Sequence, residues 1–282
     1  MSRRDQIIDQ LGSIPAMPVV VDKLRQLLAD PDVDFRELAD VLKYDPGMTA
    51  NLLRLANSAY FGFRTQADNI RQCVSRLGTK RMGELVMTAA VGPVMQGQIK
   101  GYDLPAGELW KHSIAVAIGT EQLAGLLGLQ IPEDAFTAGL LHDIGKIIMG
   151  TFIEVDTGPI LELVEEQGVT FDEAERQVLG IDHAEIGALL FEKWNFPSAI
   201  INTARWHHAP QNFGAESLVL NLVHIADSVS MMSGIGTGQD GLAYRISDKI
   251  LEKLPINNQI IEACAFETMI KVNELSDLYR IA

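Results

Sequence analysis

Cysteine is scarce in this chain, which contains only Cys73 and Cys264 among 282 residues. Their separation matches no metal-binding or redox spacing, so we interpret both as buried thiols in a reducing compartment. Long apolar runs are also missing: no uninterrupted apolar stretch is long enough to span a bilayer. The first residues lead into no apolar signal core. These absences argue against a membrane protein and predict a cytoplasmic location.

Basic side chains are few relative to acidic ones. Lysine and arginine total 23 against 37 aspartates and glutamates, which gives a net charge of −14. A nucleic-acid surface needs clustered cations to contact phosphates. The sequence has one local group of basic residues, which we interpret as a solvated helix face. It comprises Arg71, Arg76, Lys80 and Arg81. We therefore expect no nucleic-acid partner.

Alternation with period two is almost absent, whereas apolar residues recur at helical spacing along most of the chain. Helix starts carry the expected chemistry, as in the capping-box patterns of Asp34 with Glu37 and Asp182 with Glu185. The chain is 47% hydrophobic, enough for a sizeable core in one large or two modest domains. The pattern predicts an all-α protein.

Composition also suggests where the chain divides. A polar, glycine- and proline-containing stretch at residues 97–106 places a boundary near residue 100, so residues 1–100 are predicted to form an N-terminal helical subdomain. Residues 101–232 would form the helical core, and residues 233–282 a C-terminal loop and helices. The glycine-rich stretch 233–241 lacks the strand, loop and helix of a phosphate cradle, and we interpret it as a flexible connector.

The most informative stretch runs from Ala138 to Lys146, where His142 is followed directly by Asp143. We predict one helix over residues 132–149, on which Lys146 lies one turn after His142 and Asp143 and can share their face. A metal ion, a bound anionic group and the lysine ammonium would fit together there.

The other histidines strengthen that interpretation, since acids accompany several of them at helical spacing. Glu108 lies four residues before His112, and Asp227 lies three residues after His224. Neutral imidazole and carboxylate together suit iron, manganese, zinc or nickel and do not select among them. The alternative is a relic cluster in which these residues serve packing and hydrogen bonding only.

Several motifs resemble the HDOD family, the bacterial HD-related output domain. They are Ile14-Pro-Ala-Met-Pro18, Asp45-Pro-Gly-Met48, Leu52-Leu-Arg-Leu-Ala-Asn-Ser58, Val74-Ser-Arg-Leu-Gly78 and Leu109-Trp-Lys-His-Ser113. The resemblance implies a multi-helix HDOD fold, with the N-terminal helical subdomain packed on an HD-type helical bundle. It also implies a bacterial signal-transduction or regulatory role, exerted through contacts with a signalling protein partner or a small phosphorylated ligand.

The histidine pattern is similar to that of the HD superfamily of metal-dependent phosphohydrolases. In that superfamily a helix histidine, the His-Asp pair and a late aspartate bind a metal, and two-metal members add further histidines, with the aspartate of the pair bridging. The resemblance implies a pair of divalent metal ions held by His112, His142, Asp143, His183, His207, His208 and Asp227. It gives catalytic roles to Asp143 and Lys146, the latter matching a lysine that contacts phosphate.

The chain also departs from the HD-GYP phosphodiesterases within this superfamily. After the histidine pair it continues Ala209-Pro-Gln-Asn-Phe-Gly214 in place of their acidic and Gly-Tyr-Pro residues. Hydrolysis of cyclic dinucleotides is therefore not implied. We favour a regulatory protein with an HD-type metal site, with a metal-dependent phosphohydrolase or phosphodiesterase acting on a small substrate as the alternative. We interpret His224 as a hydrogen-bonded core residue and Glu108 as an exposed first-turn acid.

Overall fold

The structure is a computed structural model of the 282-residue chain. It describes residues 2–14, 17, 19–28, 30, 33–42, 45–62, 65–150, 158–238, 240 and 246–276. Within these ranges no β-strand forms beyond an isolated bridge between Ile99 and Leu104. The prediction of an all-α protein is confirmed. None of the helices in these ranges has the length and apolar character needed to cross a bilayer.

Helices account for most of the described residues. The first five are α1 (Arg3–Ser13), α2 (Val19–Leu28), α3 (Phe35–Leu42), α4 (Pro46–Ala56) and α5 (Ile70–Met95). The next five are α6 (Glu108–Leu126), α7 (Ala135–Leu141), α8 (Ile144–Ile148), α9 (Gly158–Gln167) and α10 (Phe171–Leu179). The last five are α11 (His183–Lys193), α12 (Ser198–Trp206), α13 (Leu218–Met232), α14 (Asp248–Leu251) and α15 (Asn258–Ser276).

The chain divides into two compact units. One comprises Met1–Ile14 and Met95–Met269, and the other comprises Pro15–Val94 and Ile270–Ala282. Both units are discontinuous in sequence, because α1 groups with the segment that begins at Met95 and the segment that begins at Ile270 groups with Pro15–Val94. The three-part division at residues 100 and 232 stays a prediction.

The unit that contains Pro15–Val94 illustrates how local chemistry sets helix ends. Asp45 caps α4 by accepting a hydrogen bond from the Met48 amide at 2.9 Å, with Pro46 in the first helical position. Gly78 interrupts α5 with a φ of 76°, a conformation open to glycine, and divides it into two helical segments. Leu24, Leu52 and other apolar side chains form its buried core.

In the larger unit, α6 is the central helix. It packs against α7 and α13, and nearly all of its length is buried. Small residues such as Ala115 and Ala117 allow the neighbouring helices to approach closely, and Ile114 and Ile118 fill the space between them. The buried α6 therefore carries His112 into the interior.

The single helix predicted over residues 132–149 is wrong in one respect. The helix ends at Leu141 and restarts at Ile144, with Asp143 in a turn conformation (φ −100°, ψ 12°). Just beyond the break, Gly145 lies against the backbone of α11, and a Cβ atom there would overlap the His183 carbonyl oxygen. Consecutive side chains on a regular helix point about 100° apart. The break lets two neighbouring residues, His142 and Asp143, reach one common centre.

Candidate metal centre

Seven ionisable side chains converge inside the larger unit, and we call them the ligand cluster. They form two groups, and within each the possible ligand atoms lie within 4.8 Å of one another. The first group comprises His112, His142 and Asp227, and the second comprises Asp143, His183, His207 and His208. All are buried except His208, which is partly exposed. The fold thus brings together every residue for which the sequence implied a metal-ligating role.

Asp143 stands between the two groups. Its Oδ2 atom lies 3.7 Å from His112 Nε2 and 3.5 Å from His142 Nε2. Its Oδ1 atom lies 3.4 Å from His183 Nε2 and 3.5 Å from His207 Nε2. One carboxylate therefore presents one oxygen to each group, which is the arrangement needed to bridge two cations.

The ring orientation of four histidines is fixed from behind by hydrogen bonds at Nδ1. The acceptors are Ile235 O for His112 at 3.2 Å, Gly139 O for His142 at 2.7 Å, Glu175 Oε2 for His183 at 2.7 Å and Ala204 O for His207 at 2.8 Å. A carbonyl or carboxylate oxygen can only accept, so each Nδ1 carries the proton. In the neutral ring each Nε2 then carries a lone pair on the side of the cluster, and the Nε2 atom of His183 lies 2.8 Å from His208 Nε2.

The cluster is not satisfied by its own members. The Nε2 atoms of His112, His142 and His207 and the Oδ1 atom of Asp143 are buried without a hydrogen-bond partner among the described residues. His112 Nε2 and Asp227 Oδ1 are 3.1 Å apart, but they are not aligned for a hydrogen bond. Buried polar atoms are ordinarily paired because leaving them unpaired is costly. Converging lone pairs and carboxylate oxygens fit a divalent cation.

Electrostatics shift the pKa values of the candidate ligands in opposite directions. Burial lowers the pKa of His142 to about 4, so the ring is neutral at neutral pH. Burial by itself raises the pKa of Asp143, but the charge of Lys146 opposes it, and that pKa is held well below its usual range. Burial also lowers the pKa of His112, yet the Asp227 carboxylate more than offsets it and leaves the pKa raised. A cation would take the place of that proton.

A buried chain of hydrogen bonds supports His183. Glu175 accepts from His183 Nδ1 through Oε2 and from the Tyr102 hydroxyl through Oε1, at 2.7 and 2.6 Å. Sequence reasoning missed both supporting residues. The signal was present for Glu175, which occupies the apolar stripe of α10 together with Phe171 and Leu179. A carboxylate at such a position needs a buried partner.

Lys146 is enclosed between two carboxylates. Its Nζ lies 2.6 Å from Asp143 Oδ2 and 2.6 Å from Asp240 Oδ2, and all three side chains are buried. Both carboxylates outweigh the effect of burial and raise the pKa of Lys146, so the ammonium stays charged. The lysine therefore neutralises a candidate ligand, and its contact with phosphate stays a prediction.

The glycine-rich stretch after α13 is more than a connector. The Ile235 carbonyl accepts the hydrogen bond from His112, and Asp240 supplies the second carboxylate to Lys146. Gly236, with a φ of 63°, lies so close to Glu108 and His112 that a Cβ atom would overlap them. These described residues of the stretch hold the back of the ligand cluster. Residues 239 and 241, which we also assigned to the connector, lie outside the described residues.

His224 and Glu108, which we did not assign as ligands, have different surroundings. His224 has both ring nitrogens engaged, Nδ1 with His207 O at 2.6 Å and Nε2 with the Ser247 amide at 2.9 Å. This confirms its interpretation as a hydrogen-bonded core residue. Glu108 lies half-buried in the first turn of α6, with its Oε2 atom 3.7 Å from Lys111 Nζ. It belongs to neither ligand group.

Comparison with known proteins settles the family. The sequence pattern of the HDOD domain matches residues 14–210, which is most of the chain. The chain belongs to the HDOD family. In this HDOD protein, the motifs quoted above and the buried ligand cluster lie in the same molecule.

A solved HDOD domain protein of unknown function from Geobacter sulfurreducens is 25% identical. It superposes with a TM-score of 0.73, over 98% of this chain and 94% of that one. A protein from Shewanella amazonensis with a provisional designation as a phosphohydrolase is 24% identical. Its TM-score is 0.72, over 95% of this chain and 97% of that one, which shows a shared fold.

Among curated proteins, a ribonuclease Y from Mycoplasma mycoides is 32% identical over 143 residues. The match covers 51% of this chain and 21% of that enzyme. The chain spans between 16% and 40% of the length of the first curated relatives that it matches.

Proposed function

We propose that this HDOD protein is a metal-dependent phosphohydrolase that holds a pair of divalent cations in the ligand cluster. One observation carries the proposal. The two oxygens of Asp143 face two separate groups of donors, and the Nε2 atoms of His112, His142 and His207 are buried without a hydrogen-bond partner among the described residues. A cluster retained only for packing would be expected to satisfy those atoms internally.

The two halves of the cluster would hold one cation each. His112, His142 and Asp227 would hold the first, His183, His207 and His208 the second, and Asp143 would be shared. When bound, such a pair lowers the pKa of a water molecule and neutralises phosphate oxygens. Iron, manganese, zinc and nickel all suit this donor set.

The chain's own residues have separate tasks in this proposal. Lys146 and Asp240 hold the Asp143 carboxylate in place and keep it anionic. Glu175 orients His183 and directs its Nε2 toward the cluster. The partly exposed edge at His208 leaves an approach for the substrate. The curated ribonucleases by their name act on RNA, but the net charge of −14 of this chain favours a small phosphorylated compound.

Elemental mass spectrometry of untagged protein, purified without chelator, tests the metal site. We expect about two equivalents of a divalent metal in the wild type and a large loss in Asp143→Ala. The matched control is Asp9→Ala, because Asp9 is exposed on α1, belongs to neither group and should retain the metal. Absence of bound metal after reconstitution with each of the four metals would overturn the proposal.

Hydrolysis is tested on the same loaded protein. We expect release of nitrophenol from p-nitrophenyl phosphate or its bis-ester, and the two compounds separate monoesterase from diesterase activity. Full metal loading without hydrolysis of either compound would contradict the enzymatic function. It would favour instead the regulatory role, in which the site binds a ligand or supports contact with a signalling partner.

A further inference from the structure

A cavity of about 370 Å³ opens onto one side of the ligand cluster. Its inner end is formed by His208, Asp227 and Ser228, of which the last two are buried. One wall is the beginning of α10, and the other is the short 3₁₀-helix Pro210–Asn212. A compound whose phosphate lies at the cluster would place its alcohol part in this cavity.

The charge of the cavity restricts that alcohol part. Asp172 and Glu173 line the wall formed by the beginning of α10, whereas the guanidinium of Arg176 is already paired with Asp172 and, at 2.9 Å, with Asp182. A second phosphate on the ligand would face the two carboxylates without an unpaired cation among the described lining residues. Like charges repel one another, so the cavity fits a ligand with a single phosphate.

The hydrogen-bonding groups of the cavity further restrict the alcohol part of the ligand. Gln211 and Asn212 lie exposed at the rim, and the amide of each can both donate and accept. Hydroxyl groups match that dual character, whereas an ammonium group can only donate. No phenylalanine, tyrosine or tryptophan is present among the described lining residues. The planar groups that remain in the lining offer a nucleobase little surface for stacking. His208 is a candidate ligand, the His224 ring is buried and hydrogen-bonded at both nitrogens, and the Arg176 guanidinium is paired with two carboxylates.

We propose that this cavity binds the alcohol part of a phosphate monoester whose alcohol is small, uncharged and rich in hydroxyl groups, as in a sugar or polyol phosphate. The inference rests on the proposed function, since the phosphate would be held at the ligand cluster. It goes beyond that function by distinguishing this substrate class from nucleotides and from compounds with two phosphates.

A graded series of uncleavable phosphonates tests the inference. The probes are methylphosphonate, the phosphonate isostere of ribose 5-phosphate and the isostere of adenosine 5′-monophosphate, which add first a sugar and then a base. Calorimetry on protein loaded with its divalent metal gives the three dissociation constants. We expect the ribose compound to bind at least about tenfold more tightly than methylphosphonate, and adenine to add nothing further.

Variants locate the effect in the cavity. Asn212→Leu, at the rim, should bring the affinity ratio of the ribose compound to methylphosphonate close to one. The matched control is Gln177→Leu, which changes an exposed amide on α10 that does not line the cavity and should leave the ratio unchanged. Equal ratios in the two variants would place any selectivity elsewhere and overturn the assignment of the cavity.

The series separates failure of this inference from failure of the proposed function. If methylphosphonate binds but the ribose compound binds no better, the inference is wrong and the proposed function stands. If adenine strengthens binding, the ligand is a nucleotide and the inference is again wrong. If metal-loaded protein binds none of the three, both the proposed function and the inference are overturned.

Discussion

Glu175 accepts a hydrogen bond from His183 Nδ1 at 2.7 Å, and this contact decides which ring nitrogen faces the ligand cluster. The same carboxylate accepts the Tyr102 hydroxyl and the His183 backbone amide. A residue outside the ligand cluster thus controls the geometry of a ligand inside it.

The first prediction follows from this pair. Glu175→Gln keeps the shape and one accepting oxygen but removes the negative charge, so His183 should become a weaker donor. We expect metal affinity to fall by about 10-fold or more, since supporting partners of metal ligands commonly have effects of this size. Competition with a chelator of known affinity measures it. Glu166→Gln, at an exposed position of α9, serves as control, and an equal loss in both variants would contradict the prediction.

The second prediction concerns the buried ion pairs of Lys146. Replacement by methionine leaves Asp143 and Asp240 without their shared cation, so metal-free protein should lose about 3–5 kcal/mol of unfolding free energy. Urea denaturation measures the loss. The control is Lys253→Met, because Lys253 forms an exposed pair with Glu216 at 2.7 Å and should cost no more than about 0.5 kcal/mol. A similar small cost for Lys146→Met would show that its pairing contributes little.

The third prediction tests the contact between α8 and α11. Gly145→Ala would force a methyl group into the His183 carbonyl, and we expect destabilisation of about 1–3 kcal/mol together with weaker metal binding. Gly125→Ala is the matched control, because a Cβ atom there meets no neighbour within 4 Å and alanine favours the helix. It should be neutral or stabilising by thermal denaturation. Equal stability of the two variants would argue against close packing at Gly145.

The fourth prediction uses the buried thiol of Cys264, whose pKa is raised by burial to about 11. At pH 8 the folded protein should react slowly with a thiol reagent such as dithionitrobenzoate, and fast in urea. Because the folded pKa lies above the unfolded one, this thiol stabilises the fold below the unfolded pKa, and that contribution is lost as pH rises toward 11. Between pH 8 and 11 a Cys264→Ala variant should therefore lose stability less steeply than the wild type. Parallel pH profiles would contradict the raised pKa.

The sequence predicted the helical class and the start of α11, because these depend on nearby residues. Asp182 caps α11 by accepting a hydrogen bond from the Glu185 amide at 2.6 Å, as its capping-box pattern indicates. It also identified the candidate ligands, although through resemblance to a family and not through spacing alone. The sequence did not predict the break between α7 and α8. Next to this break Gly145 contacts α11, a helix that begins almost 40 residues later.

The sequence by itself determined which residues are available for metal chemistry, and the tertiary structure decided how each one faces the centre. The hydrogen bond between His112 and Ile235 joins residues 123 positions apart, and no local pattern encodes it. The same holds for Asp240 beside Lys146 and for the cavity next to His208. Proton positions, ion pairs and cavity shape depend on which side chains the packed helices bring within a few ångströms, and that distance is set only when the core forms.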